Sequence, residues 1–237
     1  MPLILCHSPK GGTGNSFVAA HLAMHLAAKG HEVVALDFTY QDALKLSFGL
    51  LPGQALAPYQ GAPGSGLAVA GVELASAWGA ARDPGFATAL REGRSPFSDR
   101  KVHIADVAAG DRDMKDLLEP HALLRICTLL PQPASLAALT KVQADTPALE
   151  LTRTLFILNQ VDDTHRFSRH THIFLRELLG ERLLGSIRRD EAVNEAAAMF
   201  EPVSKYAPAS AALSDLATVA GEIETRAGLE GGTVEPA

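Results

Sequence analysis

Short apolar runs alternate along this chain with longer segments in which apolar residues recur every three or four positions. The short runs are typical of buried strands, and the longer spacing is typical of helices that bury one face. Their alternation predicts a mainly parallel sheet with helices on both faces. The predicted strands are Leu3–His7, Glu32–Leu36, Leu67–Leu74, Val102–Ala105, Leu124–Leu129, Thr154–Leu158 and Arg182–Ile187. The predicted helices are Ser16–Lys29, Gln41–Phe48, Ala134–Ala144, Ser168–Leu179, Glu191–Phe200 and Ala209–Arg226.

These elements predict one α/β domain. A chain of 237 residues has the size of a single large domain, and it shows no internal repeat and no break in composition. We place the domain at residues 1–227 and predict a disordered tail at residues 228–237, which are poor in apolar side chains. Residues 51–66 are rich in Pro, Gly and Ala and predict a long surface loop, and residues 83–100 predict a helix with a connection.

The composition narrows the setting in which the protein acts. A net charge of −6 gives no general attraction to nucleic acid or anionic lipid, so nucleic acid is an unlikely partner. Cys6 and Cys127 lie inside apolar runs, where buried thiols in a reducing compartment are expected. No apolar run reaches 18 residues, and the first residues lack the charged start of a signal peptide. We therefore expect a cytoplasmic protein without a transmembrane segment.

A glycine-rich segment separates the first predicted strand from the first predicted helix. Its glycines allow successive backbone N–H groups to point into one anion-sized concavity at the positive end of the helix. Ser16 opens that helix, where its hydroxyl is placed to bind Mg²⁺. The other interpretation is a strand–helix turn that binds nothing. The predicted cofactor-binding residues here are Gly11, Gly12, Thr13, Gly14, Asn15, Ser16 and Phe17.

One residue of this loop departs from the usual phosphate-binding pattern. Such loops end in Gly-Lys-Ser or Gly-Lys-Thr, and their lysine reaches the β- and γ-phosphates of a nucleotide. Here Asn15 stands in the lysine's position. Its amide can donate a hydrogen bond but carries no charge. The segment therefore predicts phosphate binding without one of the groups that make hydrolysis fast.

Lys10 points to a particular family. The pattern K-G-G-x-G-x-[ST], which begins at Lys10, resembles the deviant Walker A motif of the MinD/ParA class of P-loop proteins. The resemblance implies that this lysine reaches across a nucleotide-sandwich homodimer to the phosphates of the partner. It also implies ATP and Mg²⁺ as cofactors. The alternative is a lysine that faces solvent.

Two aspartates at predicted strand ends extend the resemblance. Asp37 matches the first residue of the family's D-x-D pattern, which helps to hold Mg²⁺ through water, whereas Thr39 stands where the second, water-orienting aspartate is found. The alternative for Asp37 is a residue that caps the next turn. Asp106 closes an apolar strand as in a Walker B motif, which implies support of Mg²⁺. The predicted metal set is thus Ser16, Asp37 and Asp106, with Lys10 and Asp37 as the catalytic residues.

Two further positions are assigned to the base of the nucleotide. Asn159 ends an apolar strand at the place where this family often reads the adenine edge, although an asparagine there is equally typical of a turn. By the same analogy, backbone contacts to the base are expected around Pro202.

Within the class, the chain most resembles the family of the cellulose-synthase operon protein BcsQ (YhjQ). The resemblance is carried by residues 37–49, by Arg189-Asp190-Glu191-Ala192 and by residues 202–212. It implies an accessory or assembly factor of bacterial cellulose synthase, peripheral to the inner membrane through its partners. Because both Asn15 and Thr39 replace catalytic groups, we expect very slow ATP hydrolysis or none. Two alternatives stay open: an active ParA-type ATPase that positions DNA or a protein complex, and a scaffold whose loop is a relic.

Overall fold

The computed structural model describes residues 2–61, 64–97, 100–142, 150–151 and 153–229. The strands within these residues are β1 (Leu3–His7), β2 (Val33–Asp37), β3 (Leu67–Val69), β4 (Val72–Ser76), β5 (Val102–Val107), β6 (Leu124–Leu129), β7 (Thr154–Val161) and β8 (Leu183–Arg188). The helices are α1 (Asn15–Ala28), α2 (Pro84–Arg91), α3 (Arg112–Leu118), α4 (Pro133–Ala137), α5 (Arg166–Leu179), α6 (Glu191–Ala198), α7 (Val203–Tyr206) and α8 (Ala211–Arg226).

All the strands join one sheet in the order β3-β4-β2-β5-β1-β6-β7-β8. Every neighbouring pair is parallel except β3 and β4 at one edge. The α/β fold with a mostly parallel sheet is therefore confirmed. In this order β2, β5 and β1 are adjacent, so their carboxyl ends bring the loops that follow them together.

Helices cover both faces of the sheet because its strands are buried on both sides. In β1, Ile4 and Cys6 pack into the core beneath α1 and α8, whereas Leu3 and Leu5 pack into the core beneath α2 and α3. A third cluster lies between α5 and the strands β6 and β7. The near-continuous apolar runs of the sequence follow directly from this double burial.

The predicted strand Leu67–Leu74 is wrong as a single element. It is a hairpin in which β3 and β4 pair antiparallel, and the turn between them is formed by Ala70 and Gly71 with φ of 50° and 76°. Two successive residues with positive φ reverse the chain tightly. The hydrophobic pattern continues through this turn, so it gave no sign of the reversal.

Several predicted helices are shorter than expected, and two short helices were missed. The segment predicted as helix Gln41–Phe48 has only a 3₁₀ turn at Leu44–Phe48. The helix predicted at Ala134–Ala144 is α4 followed by a 3₁₀ turn at Ala138–Lys141, and its last two residues lie outside the described ranges. The short helices α3 and α7 were not predicted.

The predicted tail falls mostly on residues 230–237, which also lie outside the described ranges. Leu229, at its start, packs against the core beside α8. The end of the domain at residue 227 stays a prediction. Within the described residues, no helix has both the length and the apolar character needed to cross a bilayer.

Candidate functional site

The glycine-rich loop connects β1 to α1 at the carboxyl end of the sheet. Gly12 and Gly14 have φ of 73° and 85°, a conformation that residues with a Cβ rarely adopt. Gly14 is also the residue before α1, and its carbonyl accepts the first helical hydrogen bond from Val18 N at 3.0 Å. A Cβ on Gly14 would lie 2.3 Å from Asn159 Nδ2. The loop therefore requires glycine at this position on two separate grounds.

A cavity of about 580 Å³, here called the loop pocket, opens above this loop. Besides the loop, its walls come from two segments that follow β2 and β5. The lining residues are Ser8, Lys10 to Phe17, Thr39, Gln41, Ala43 and Asp106 to Gly110. The structure thus brings the whole predicted loop, Asp106 and the position of the missing second aspartate, Thr39, around one cavity.

The side chain of Asn15 forms hydrogen bonds within the protein at the end of β5. Its Nδ2 donates to Asp106 Oδ1 at 2.8 Å and to the carbonyl oxygen of Cys6 at 3.0 Å. Its Oδ1 accepts from the Ser8 hydroxyl at 3.2 Å, and the Ser8 oxygen accepts in turn from Thr128 N at 2.9 Å. Asn15 therefore ties the loop to the sheet, and its amide group is already used by the protein.

The carboxyl group of Asp106 has an unusually high pKa for a residue at the end of a strand. It is buried, and Oδ2 has no hydrogen-bond partner among the described residues. Burial, with a contribution from the nearby Asp37, raises its pKa from the usual 3.8 to about 7, although Ser16 and Asn15 act in the opposite direction. A cation in the loop pocket would lower this pKa and stabilise the charged form.

The pKa of Asp106 predicts an effect on stability. Between pH 4 and 7, folded Asp106 retains a proton that the unfolded chain releases, so its contribution to stability falls as pH rises through this window. Asp106→Asn keeps the acceptor for Asn15 and cannot ionise. We expect the variant to be more stable than wild type at pH 8, by at most about 4 kcal/mol, and equal to it near pH 4.

Urea unfolding of both proteins across this pH range, without nucleotide or Mg²⁺, measures the difference. The buried histidines, which also titrate in this range, contribute equally to both proteins and cancel. A constant difference in free energy of unfolding from pH 4 to 8 would contradict the assignment.

Asp37 is placed differently from what the family pattern implies for a residue at the metal. It is fully buried, and its two carboxylate oxygens accept hydrogen bonds from Thr39 N at 2.8 Å and Leu44 N at 3.0 Å. Burial raises its pKa, against the effect of these hydrogen bonds. Asp37 does not itself line the loop pocket. In this structure it caps the turn after β2, and its part in holding Mg²⁺ through water stays a prediction.

The loop pocket nevertheless fits a nucleotide with its metal. Two buried oxygens at the pocket, Thr13 Oγ1 and Asp106 Oδ2, have no partner among the described residues, and Thr39 Oγ1 makes only a weak contact with the Asp37 carboxylate. Buried polar atoms without partners are uncommon in folded proteins and indicate an unrecorded ligand, ion or water. Phosphate oxygens and a hydrated Mg²⁺ would satisfy these atoms, with Ser16 on the same wall.

A second cavity of about 370 Å³, the side pocket, adjoins the first one. It shares Gly12, Gly14 and Phe17 with the loop pocket, and Asn159 and Gln160 also line it. Asn159 is already engaged, because its Nδ2 donates to the Thr13 carbonyl at 2.8 Å and its Oδ1 accepts from Gln160 N at 2.9 Å. Its contact with a base stays a prediction.

The remaining wall of the side pocket was not found from the sequence. It consists of the end of β8 and the residues that follow: Ile187, Arg188, Arg189, Asp190, Val193 and Asn194, together with Ala212. Two hydrogen-bonded pairs fix this wall, Arg188 with Asp215 at 2.8 Å and Asp190 with the Ser210 hydroxyl at 2.6 Å. The sequence did offer one sign of this wall, since Arg189 and Asp190 come directly after an apolar strand.

Pro202 lies elsewhere. It is the residue before α7 and stands against Gly49, where a Cβ would lie 2.6 Å from the proline Cδ. It lines neither the loop pocket nor the side pocket. The predicted backbone contacts of this segment with a base stay a prediction.

Comparison with protein families identifies the family of the domain that carries this site. Residues 4–203 match the CobQ/CobB/MinD/ParA nucleotide-binding domain. The chain belongs to this family. The matched range includes the loop, Asp37, Asp106 and Asn159, so it covers the loop pocket and all of the side pocket except Ala212.

Solved structures agree with this assignment at the level of the fold. A ParA family ATPase from Chlorobium tepidum TLS superposes with a TM-score of 0.70 at 19% identity, covering 94% of this chain and 98% of the other. The septum site-determining protein MinD of Pyrococcus horikoshii OT3, solved with Mg-ADP, gives a TM-score of 0.68 at 22% identity, covering 96% and 97%.

A curated relative matches only a short stretch. "Putative replication protein A" of Rhizobium rhizogenes is 43% identical over 49 residues. The match spans 21% of this chain and 12% of that protein.

Proposed function

We propose that this CobQ/CobB/MinD/ParA-family chain binds ATP with Mg²⁺ and hydrolyses it very slowly or not at all. The observation that carries the proposal is the hydrogen bonding of Asn15. The residue in the position of the phosphate-loop lysine is uncharged, and its amide is bound to Asp106 and to the Cys6 carbonyl. The loop can therefore hold phosphates through its backbone while it lacks the cation that stabilises the transferred group.

The residues present divide the work of binding as follows. Backbone N–H groups from Gly11 to Ser16 would hold the phosphates, and Ser16 and Asp106 would hold Mg²⁺ directly or through water. The metal, when bound, neutralises charge on the phosphates. Thr39 offers a neutral hydroxyl where the family pattern has a carboxylate, and a hydroxyl is a poor base for an attacking water.

We further propose that ATP joins two copies of the chain into a homodimer, with Lys10 acting across the interface. Lys10 lines the loop pocket, and its Nζ has only a long contact of 3.4 Å with the carbonyl of Gly11. No salt bridge joins Lys10 to another described residue. Its ammonium group is therefore available to a second molecule.

The biological role that we propose is that of an accessory factor of bacterial cellulose synthase, peripheral to the inner membrane on its cytoplasmic side. Support comes from segments that resemble the BcsQ family and whose placement is now known. Thr39, Gln41 and Ala43 from the segment 37–49 line the loop pocket, and Arg189 and Asp190 line the side pocket. Both segments thus lie at the nucleotide site, where a nucleotide state would be read by a partner.

A single-turnover assay tests the enzymatic part of the proposal. Excess protein is mixed with radiolabelled ATP and Mg²⁺, and the phosphate released is followed for hours. We expect ATP to bind and to remain intact over many minutes. Release of most of the phosphate within a few minutes would contradict it.

A deletion tests the biological part. Removing the gene from its host should abolish or strongly reduce cellulose production, and plasmid-borne wild type should restore it. Normal cellulose in the deletion strain would contradict the cellulose role and leave the nucleotide chemistry standing.

A ParA-type ATPase that acts on DNA is the second candidate, and the short match to the replication protein from Rhizobium rhizogenes favours it. Such a protein should bind DNA in the presence of ATP with an affinity that falls steeply as salt rises. A shift of plasmid DNA at low salt would support this alternative, and its absence would dismiss it. A relic loop is tested separately, since it would bind no ATP.

A further inference from the structure

A third cavity of about 250 Å³ is lined mainly by cationic and other polar side chains. We call it the His7 pocket, and the lining residues that matter are His7, Ala109, Arg112, Lys115, Asp116 and Lys141. Ala109 also lines the loop pocket, so the segment after β5 separates the two cavities. None of the cationic residues of this wall has a part in the nucleotide site.

His7 gives the first sign that the pocket has an occupant. The side chain is only 2% exposed; the Ala109 backbone contacts the ring, but neither Nδ1 nor Nε2 makes a hydrogen bond of full geometry with the described residues. Burial, together with the charges of Arg125 and Lys115, lowers its pKa to about 4, against the opposing effects of the Ala109 backbone and of Glu119. The ring is therefore neutral at pH 7, with one N–H to donate and one nitrogen to accept. Buried polar groups in native proteins nearly always find partners, so an unrecorded ligand is indicated.

The charged side chains at the His7 pocket carry a net positive charge. Lys115 Nζ contacts Asp116 at 2.6 Å and Glu119 at 2.9 Å, and Glu119 also accepts from the buried Arg125. These two cations and two carboxylates cancel one another. Arg112 and Lys141 then add two positive charges that have no ion-pair partner in the described part of the chain. The pocket is thus suited to a ligand with two negative charges.

We propose that the His7 pocket binds a phosphate dianion, either inorganic phosphate or the phosphate group of a small phosphomonoester. The Arg112 guanidinium presents paired N–H donors that match phosphate oxygens, and Lys141 adds a point charge. The buried His7 ring supplies a further donor inside the cavity. This site is separate from the loop pocket, and it stands or falls independently of ATP binding there.

Nuclear magnetic resonance with the full chain tests the proposal, because it reports each pocket separately. Inorganic phosphate and glycerol phosphate are titrated at constant ionic strength, with sodium chloride as the reference anion. We expect saturable shifts of the His7 ring and of the amides of Arg112 and Lys141, which line this pocket and not the loop pocket. Whichever probe binds more tightly identifies the source of the phosphate.

Variants with exposed substitutions make the test specific. R112Q/K141Q removes the two unpaired charges and should weaken phosphate binding at His7 at least tenfold. K29Q/R91Q removes the same charge from exposed positions outside the pocket and should change it less than twofold. Shifts confined to Gly11–Ser16, no shifts with either probe, or equal binding by R112Q/K141Q would each overturn the proposal.

Discussion

Replacing Asn15 with lysine should tighten the binding of ATP–Mg²⁺ about tenfold to a hundredfold. The substitution breaks the hydrogen bonds that tie Asn15 to Asp106 and to the Cys6 carbonyl, and it places an ammonium group beside the phosphates. A hydrogen bond to a charged group contributes about 1.5–3 kcal/mol, and each 1.4 kcal/mol is tenfold in affinity. Isothermal titration calorimetry with a slowly hydrolysed ATP analogue measures the change.

Asn15→Met is the matched control for this experiment. Methionine has nearly the length of lysine and also breaks the contact with Asp106, but it carries no charge. A gain seen with lysine and absent with methionine assigns the effect to the charge. Equal affinity of wild type and both variants would mean that the loop is a relic.

The same substitution separates binding from catalysis. Asn15→Lys alone should raise hydrolysis only modestly, because Thr39 still lacks the carboxylate that orients water in the family pattern. Asn15→Lys combined with Thr39→Asp should raise the single-turnover rate about a hundredfold or more over wild type, the range typical of a positioned acid or base. An unchanged rate in the double variant would contradict the interpretation of these two positions as lost catalytic groups.

Gly14→Ala should abolish measurable ATP binding and lower the stability of the protein. Gly14 has a φ of 85°, and its new Cβ would lie 2.3 Å from Asn159 Nδ2. The strained backbone alone costs about 1–3 kcal/mol, and Asn159 must move away from the Thr13 carbonyl that it now holds. Calorimetric titration and urea unfolding measure the two losses.

Gly53→Ala is the control for Gly14→Ala, because Gly53 lies outside both pockets and its Cβ would meet no atom within 4 Å. This variant should bind ATP and unfold as wild type does. If Gly14→Ala retains wild-type affinity, the assigned loop geometry is wrong.

The sequence predicted the features that depend on a regular pattern. The first and last long helices were placed at Ser16–Lys29 and Ala209–Arg226, and they are found at Asn15–Ala28 and Ala211–Arg226. The last helix buries one face, so its apolar spacing is legible along the chain. The first helix is apolar around most of its circumference, and it was placed from the length of its apolar run and from Gly30 after it. The short α3 was missed because seven residues give too few repeats of that spacing. Its start is marked only by Asp111, which accepts from Met114 N at 3.1 Å.

The site was predicted as a set of positions but not as a set of contacts. The loop, Thr39 and Asp106 do meet at one cavity. The sequence could not show that Asn15 donates a hydrogen bond to Asp106, 91 positions away. Nor could it show that both carboxylate oxygens of Asp37 accept hydrogen bonds from backbone amides. Such contacts depend on strand order, since β2, β5 and β1 become neighbours only in the folded sheet. For the same reason the burial of His7 among charged groups had no signal in the sequence.

Sedimentation of the protein with ATP and Mg²⁺ tests most directly whether it binds ATP without hydrolysing it. The monomer has a mass of 25.0 kDa. We predict that saturating ATP–Mg²⁺ converts the protein to a species of twice that mass, and that this species persists for hours with intact ATP recovered from it. A protein that stays monomeric with ATP, or a dimer that dissociates within minutes as ADP forms, would contradict this account.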